Sequence, residues 1–189
     1  MEADAAAAPA FYFDLFSPEA YLAAERVMAE LPVVAEWTPI LAAGLPGGRA
    51  PDDAPARRAG AERRAGTQHV QPLRWPPGWE QADMREAMVA ATYAKQIGRA
   101  VAFSLAAFRQ AFAGGRTLDE DTILIAAAAC EMHPTAIDKG AGRDSIRRRL
   151  QEATDAAGAA GVLEVPAVQV GDRIFHGDRE LEAAAAVLA

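Results

Sequence analysis

The run Ala10-Phe11-Tyr12-Phe13-Asp14-Leu15 is short, apolar and rich in aromatic residues, and it ends at Phe16-Ser17-Pro18. Such a run reads as a buried strand. The Ser-Pro pair after it reads as a helix start. A serine hydroxyl can accept a free N–H of the first turn, and a proline at the first helical position misses no hydrogen bond. From Pro18 to Leu31 the residues Tyr21, Leu22, Val27, Met28 and Leu31 recur at helical spacing, and Pro32 stops the pattern. Val33 to Trp37 predicts a second strand. Strand, helix and strand within about 30 residues make a βαβ unit with a right-handed crossover.

Beyond this unit the texture changes. Residues 43–67 are rich in Gly, Pro, Ala and Arg, with no large apolar residue after Leu45, and predict a loop or a weak helix. Arg57, Arg58, Arg63 and Arg64 read as a solvated face, with a lip for an anionic ligand as the alternative. Leu73-Arg74-Trp75-Pro76-Pro77-Gly78-Trp79 is too proline-rich for a helix interior or a central strand and predicts a packed wall. From Gln81 to Ala113, apolar residues from Met84 to Phe112 fall at three- and four-residue steps, which predicts one long helix ended by Gly114-Gly115. Further helices follow, one from Thr117-Leu118-Asp119-Glu120 to about Met132 and one over part of Thr135 to Ala157.

At the far end, Val165-Pro166-Ala167-Val168-Gln169-Val170, Gly171-Asp172 and Arg173-Ile174-Phe175-His176 make a hairpin, and Asp178 to Leu188 a closing helix. The order β-α-β, helical insertion, β-β-α defines an α/β chain with the element order of a thioredoxin fold carrying an inserted helical domain. Residues 10–42 and 159–189 would form the thioredoxin-like part, 68–158 the inserted helices, and 43–67 a Gly/Pro/Arg-rich loop between them.

Composition narrows the function. A chain of 189 residues with 51% hydrophobic and 24% charged residues can fold as an ordinary globular protein without stabilising staples. Cys130 is the single cysteine, which excludes an internal disulfide, a CxxC redox pair and a cysteine-rich zinc site. It falls in an apolar helix and reads as inert. The net charge of −7 argues against nucleic-acid binding, because phosphate neutralisation needs surplus Lys and Arg. No run approaches the roughly 20 apolar residues of a membrane span, and Met1 to Pro9 carries acids where a signal peptide is basic, so a cytoplasmic location is expected. His69, His133 and His176 lack metal-ligand spacing, and no metal site is expected.

Two patches carry a resemblance. Phe11-Tyr12-Phe13-Asp14-Leu15-Phe16-Ser17-Pro18-Glu19-Ala20-Tyr21-Leu22-Ala23 resembles the first strand and helix start of 2-hydroxychromene-2-carboxylate isomerases and kappa-class glutathione transferases. Gly161-Val162-Leu163-Glu164-Val165-Pro166-Ala167 is similar to the same family's GVFGVPT segment. This family lies within the DsbA-like group of thioredoxin folds. The resemblance implies a thiol-dependent isomerase or transferase using glutathione or another low-molecular-weight thiol, a small aromatic or conjugated substrate, and a homodimer. Where a redox relative places Cys-Pro-x-Cys, this chain has Ser17-Pro18-Glu19-Ala20, so thiol–disulfide exchange on that motif is impossible.

The resemblance assigns Ser17 to catalysis, holding the thiol ionised by a hydrogen bond. It assigns Ser17, Pro18, Val165, Pro166, Asp178 and Arg179 to cofactor binding, with a cis Val165-Pro166 bond turning the Val165 backbone toward the ligand. The implied reaction is addition of the thiolate to a conjugated double bond, rotation, and departure of the thiolate. Trp75, Trp79 and His176 are candidates for the substrate pocket, although wall packing is the commoner role of the indoles and His176 reads first as a packing replacement for an aromatic residue. Two segments depart from the family. His176-Gly177-Asp178-Arg179 stands one place early relative to Leu181, so register decides whether Asp178 or Arg179 faces the ligand. Gln81-Ala82-Asp83 replaces a Ser-Arg-Arg run. The alternative function is a noncatalytic DsbA-like binding module in which Ser17 is only a helix cap.

Overall fold

The computed structural model describes residues 8–48, 54–133 and 144–189. Strand β1 (Ala10–Phe13) leads through Ser17 into α1 (Pro18–Ala24), a short α2 (Val27–Glu30) and β2 (Glu36–Pro39). Helix α3 (Ala54–Thr67) precedes the insertion helices α4 (Arg85–Gln96), α5 (Ala100–Phe108), α6 (Glu120–Ala128) and α7 (Asp144–Ala159). Strands β3 (Ala167–Val170) and β4 (Arg173–His176) and helix α8 (Leu181–Leu188) complete the chain.

The four strands form one mixed sheet in the order β2-β1-β3-β4, with β1 parallel to β2 and antiparallel to β3. Alternation along β1 sends its side chains to two cores. Phe11 and Phe13 pack edge-on against Trp37 of β2 at 4.9 and 5.7 Å, and Phe13 meets Phe108 of α5 at 5.8 Å. Val168, Phe175 and Leu181 extend that core. On the other face, Tyr12 opposes Ala167 and packs with Ile40, Val162, Val165 and Ala157 of α7. Thr154 ties α7 to the sheet side by accepting the Leu41 N–H at 3.0 Å.

Several elements differ from the sequence expectation. The second strand starts at Glu36, not Val33, because parallel pairing with β1 begins there; Val33 and Val34 stand exposed, Val34 by 78%. The helix expected from Pro18 to Leu31 breaks after Ala24 into α1 and α2. The long helix expected over 81–113 divides at Gly98, which has φ +73°. There the Gly98 N–H reaches Lys95 O at 3.1 Å and the Arg99 N–H reaches Ala94 O at 2.7 Å, a glycine-dependent helix stop. Its last turn, Arg109–Ala113, is a π turn. The helix expected from Thr117 begins at Glu120, with Asp119 accepting the Thr122 N–H at 2.9 Å. Residues 134–143, where the pattern predicts the start of the next helix, lie outside the described residues. The closing helix starts at Leu181 instead of Asp178.

Within 43–67, where a loop or a weak helix is expected, residues 54–67 form the 14-residue helix α3. Its buried residues are Ala61 and Ala65, one turn apart, and it packs on α1 through these small side chains. Alanine and arginine both favour helix, so the segment needs no large apolar residue to form one.

Candidate functional site

The site is built on the turn between β1 and α1. Asp14 is buried, and its carboxylate accepts the Phe16 N–H at 2.9 Å and the Ala42 N–H at 2.8 Å, fixing both the turn and the chain beyond β2. The Phe16 carbonyl accepts the Trp79 indole N–H at 2.8 Å. Ser17 then caps α1 in an extended conformation, and its Oγ accepts the Ala20 N–H at 3.1 Å. Asp14 escaped the sequence reading, although an acid inside an apolar run is itself a signal, since a buried carboxylate must be hydrogen-bonded.

Across from Ser17 lies Val165, followed by a cis Val165-Pro166 bond, as expected from the resemblance. The Val165 carbonyl is 3.5 Å from Ser17 Oγ. Both residues line a cavity of about 390 Å³, together with Phe16, Glu19, Arg57 and Glu164 among others. Gly47 closes one side: its N–H donates to Leu163 O at 2.7 Å, and a Cβ there would lie 2.5 Å from that same oxygen. Only glycine fits that approach.

Charge in the site is organised by α3. Arg57 binds the Glu19 carboxylate through Nε and a terminal nitrogen at 2.6–3.0 Å and approaches Ser17 Oγ at 3.4 Å. Ser17 Oγ is in turn 3.0 Å from Glu19 Oε2, to which it can donate. Burial alone would raise the Glu19 carboxyl, but the hydrogen bonds and charge of Arg57, with the Ser17 hydroxyl, hold it below its ordinary value of 4.5. Because the folded value is the lower one, Glu19 adds stability above about pH 4.5, and that increment is lost as pH falls through the folded value. Arg57→Met is therefore expected to shrink the stability gained between acid and neutral pH, measured by urea unfolding across that range; an unchanged pH profile contradicts this assignment.

The other expected site residues divide. Asp178 is 3% exposed, and its carboxylate accepts from Arg64 Nε at 3.1 Å and Gln68 Nε2 at 2.8 Å. Arg179 is exposed, so the register turns Asp178 inward, onto α3 and off the cavity wall. Trp79 is 1% exposed and stacks on Phe16 at 5.1 Å, with Trp75 beside it at 4.7 Å. These indoles form the wall behind Phe16 and do not line the cavity. His176 accepts the Leu163 N–H through Nε2 at 3.0 Å, a brace for the loop before Val165. The α3 arginines are neither a solvated face nor an open anion lip: Arg57 and Arg64 pair with Glu19, Arg58 pairs with Glu80, and Arg57 and Arg58 lie over the Phe16, Trp75 and Trp79 rings. Arg63 alone of the four is exposed.

Cys130 is buried and donates to Ala126 O and Ala127 O, and burial pushes its thiol up. Among the described residues no group of His, Cys, Asp and Glu could hold a metal ion, and no helix is long and apolar enough to cross a membrane.

The sheet order, the helical insertion and a cis-proline facing a helix start define a thioredoxin fold of the DsbA-like class. The family model for the DSBA-like thioredoxin domain matches residues 10–189, and the chain belongs to that family. Among solved structures it is similar to a 2-hydroxychromene-2-carboxylate isomerase, at 21% identity and a TM-score of 0.82 over 95% of this chain and 93% of that one. It is also similar to a probable DsbA oxidoreductase from Streptomyces coelicolor, at 16% identity and a TM-score of 0.76 over 95% of this chain and 87% of that one. No curated protein matches the sequence.

Proposed function

We propose that the protein is a thiol-dependent isomerase, or a kappa-like transferase, in which Ser17 stabilises a bound low-molecular-weight thiolate such as that of glutathione. The carrying observation is the Ser17 hydroxyl at the cavity wall, 3.5 Å from the Val165 carbonyl, in a chain whose one cysteine is buried elsewhere. The donor set fits a sulfur. Ser17 Oγ has one proton, with Glu19 Oε2 at 3.0 Å and the Val165 carbonyl at 3.5 Å as acceptors, and it can turn to an incoming anion while the Ala20 N–H keeps the oxygen in place. The Val165 backbone edges the same space and can pair with an extended, peptide-like thiol. Arg57 fixes Glu19, so the alternative acceptor for the Ser17 proton stays in one position. A bound thiolate supplies reversible addition to a conjugated double bond, which frees that bond to rotate. The protein's part is orientation and charge stabilisation. The substrate is proposed to be small, aromatic or conjugated, and the working assembly a homodimer.

The competing reading is a noncatalytic DsbA-like module. It is favoured by one observation: the Ser17 hydroxyl already has partners in Ala20 and Glu19. Calorimetric titration with reduced glutathione and other small thiols separates the two. Ser17→Ala is expected to lose thiol binding at a stability loss of about 1 kcal/mol, the scale of a helix cap. Absence of binding by any thiol to the folded wild type, with the same stability loss in the variant, assigns Ser17 to capping alone.

A further inference from the structure

Residues 163–166 carry the Val165 backbone to the cavity, and two neighbouring residues at the end of β4 hold this segment at both ends. Strand β4 runs antiparallel to β3 with His176 opposite Ala167, so its last residue lies beside Pro166. The Gly177 N–H donates to the Pro166 carbonyl at 2.8 Å. His176 reaches the other end, where its Nε2 accepts the Leu163 N–H at 3.0 Å. The Leu163 carbonyl is held as well, by the Gly47 N–H at 2.7 Å. Two residues further on, the Val165 carbonyl lies 3.5 Å from Ser17 Oγ. His176 itself stands behind the cavity wall that Val165, Pro166 and Gly177 help to line.

An aromatic ring at position 176 could fill the same space, but it could not accept the Leu163 N–H. A backbone N–H is an obligatory donor, and the imidazole nitrogen that accepts it must be unprotonated. The nitrogen therefore matters here apart from the ring. We infer that His176 is a positioning residue of the Ser17 cavity: its Nε2 acts through Leu163 to fix the Val165 backbone, the edge with which an extended, peptide-like thiol would pair. A ligand without a peptide backbone draws on Ser17 alone and is indifferent to this brace. The inference rests on the thiol reading of the Ser17 cavity.

His176→Phe and His176→Gln separate the acceptor from the ring. Phenylalanine keeps a flat ring and loses the nitrogen, whereas glutamine loses the ring and sets an amide oxygen at the reach of Nε2. Reduced glutathione and cysteamine are titrated calorimetrically into the wild type and both variants, and each variant is compared with the wild type for the same thiol. Hydrogen exchange of the Leu163 amide is read in the free proteins. One neutral hydrogen bond sets the scale, so His176→Phe should weaken glutathione about three- to tenfold and quicken Leu163 exchange by a similar factor. His176→Gln should recover most of both, and cysteamine should bind all three proteins alike. Packing predicts the reverse order, with His176→Phe near the wild type and His176→Gln weakened. That order, equal glutathione affinity throughout, or an equal loss for both thiols overturns the inference. Glutathione binding that disappears in Ser17→Ala yet is unchanged in His176→Phe overturns this inference alone, as does a wild type that binds cysteamine and not glutathione. Failure of both thiols to bind the wild type removes the thiol reading and the inference with it.

Discussion

Trp79→Ala is expected to lower stability by about 3–5 kcal/mol, the range for truncating a fully buried aromatic residue, and to abolish Ser17-dependent thiol binding. The two effects share one cause. Trp79 sits in a ring cluster with Phe16, Trp75 and Phe112, at centroid distances of 5.1, 4.7 and 6.5 Å. Its indole N–H also fastens the Phe16 carbonyl at 2.8 Å, immediately before Ser17. Truncation removes the packing and leaves a buried carbonyl without its donor, so the β1–α1 turn loses its back wall. Trp79→Phe keeps most of the stacking and loses only the hydrogen bond, for which about 1–2 kcal/mol is expected. Urea unfolding of the pair measures both. A loss below about 1.5 kcal/mol in Trp79→Ala, set against that 3–5 kcal/mol scale, would show that the cavity wall does not depend on the indole cluster.

Arg64→Ala is expected to cost about 2–4 kcal/mol, somewhat less than the loss of a fully buried charge partner. Arg64 joins Asp178 at the end of β4 to Glu19 on α1, and Arg26 donates to the Asp178 carbonyl at 3.1 Å from the neighbouring side. Removing one partner of a buried pair strands the other charge, at a typical cost of about 3–5 kcal/mol. Partial exposure of Arg64, and the Gln68 bond that Asp178 keeps, bring the expected loss below that range. Asp178→Asn in the Arg64→Ala background should recover part of the loss, because the stranded charge is gone. If Arg64→Ala changes stability by less than about 0.5 kcal/mol, the value of an ordinary surface pair, α3 is not fastened over the site by this network.

The legible part of the fold was the part written in local chemistry. Ser17-Pro18 announced a helix start because capping and proline geometry need only adjacent residues. The Gly171-Asp172 hairpin was readable for the same reason, whereas the cis Val165-Pro166 bond was implied by the family resemblance alone. What the sequence hid depended on partners far along the chain. Helix α3 buries only small side chains and is otherwise held by Arg57, Arg58 and Arg64, so a search for large apolar residues passes over it. Strand β2 was misplaced because Val33 and Val34 look like strand, while the hydrogen-bond register with β1 begins at Glu36. Gly98 stood within an unbroken apolar period, and its helix-stopping role appears only in its positive φ and two backbone bonds.

The site followed the same division. Ser17, Val165 and Pro166 line one cavity across a separation of 148 residues, an arrangement that the family resemblance implied and that no local pattern carries. Asp178 and Arg179 could not be separated until the turn after β4 placed one inward and the other in solvent. Glu19 and Arg57 were missed as a pair because they lie 38 residues apart. Their proximity was foreshadowed only by an acid after Ser17-Pro18 and by four arginines crowded into residues 57–64.

Whether Ser17 holds a bound thiol in its ionised form is decided by the ultraviolet absorbance of the thiolate across pH, recorded for cysteamine and for reduced glutathione with wild-type protein and with Ser17→Ala. A hydroxyl hydrogen bond to the charged form favours that form, so the apparent thiol pKa should fall below its free value, about 8.5 for a cysteine thiol, and return to it in Ser17→Ala. A thiol that binds the wild type with its pKa unmoved, or that is ionised equally in the variant, would contradict this role for Ser17.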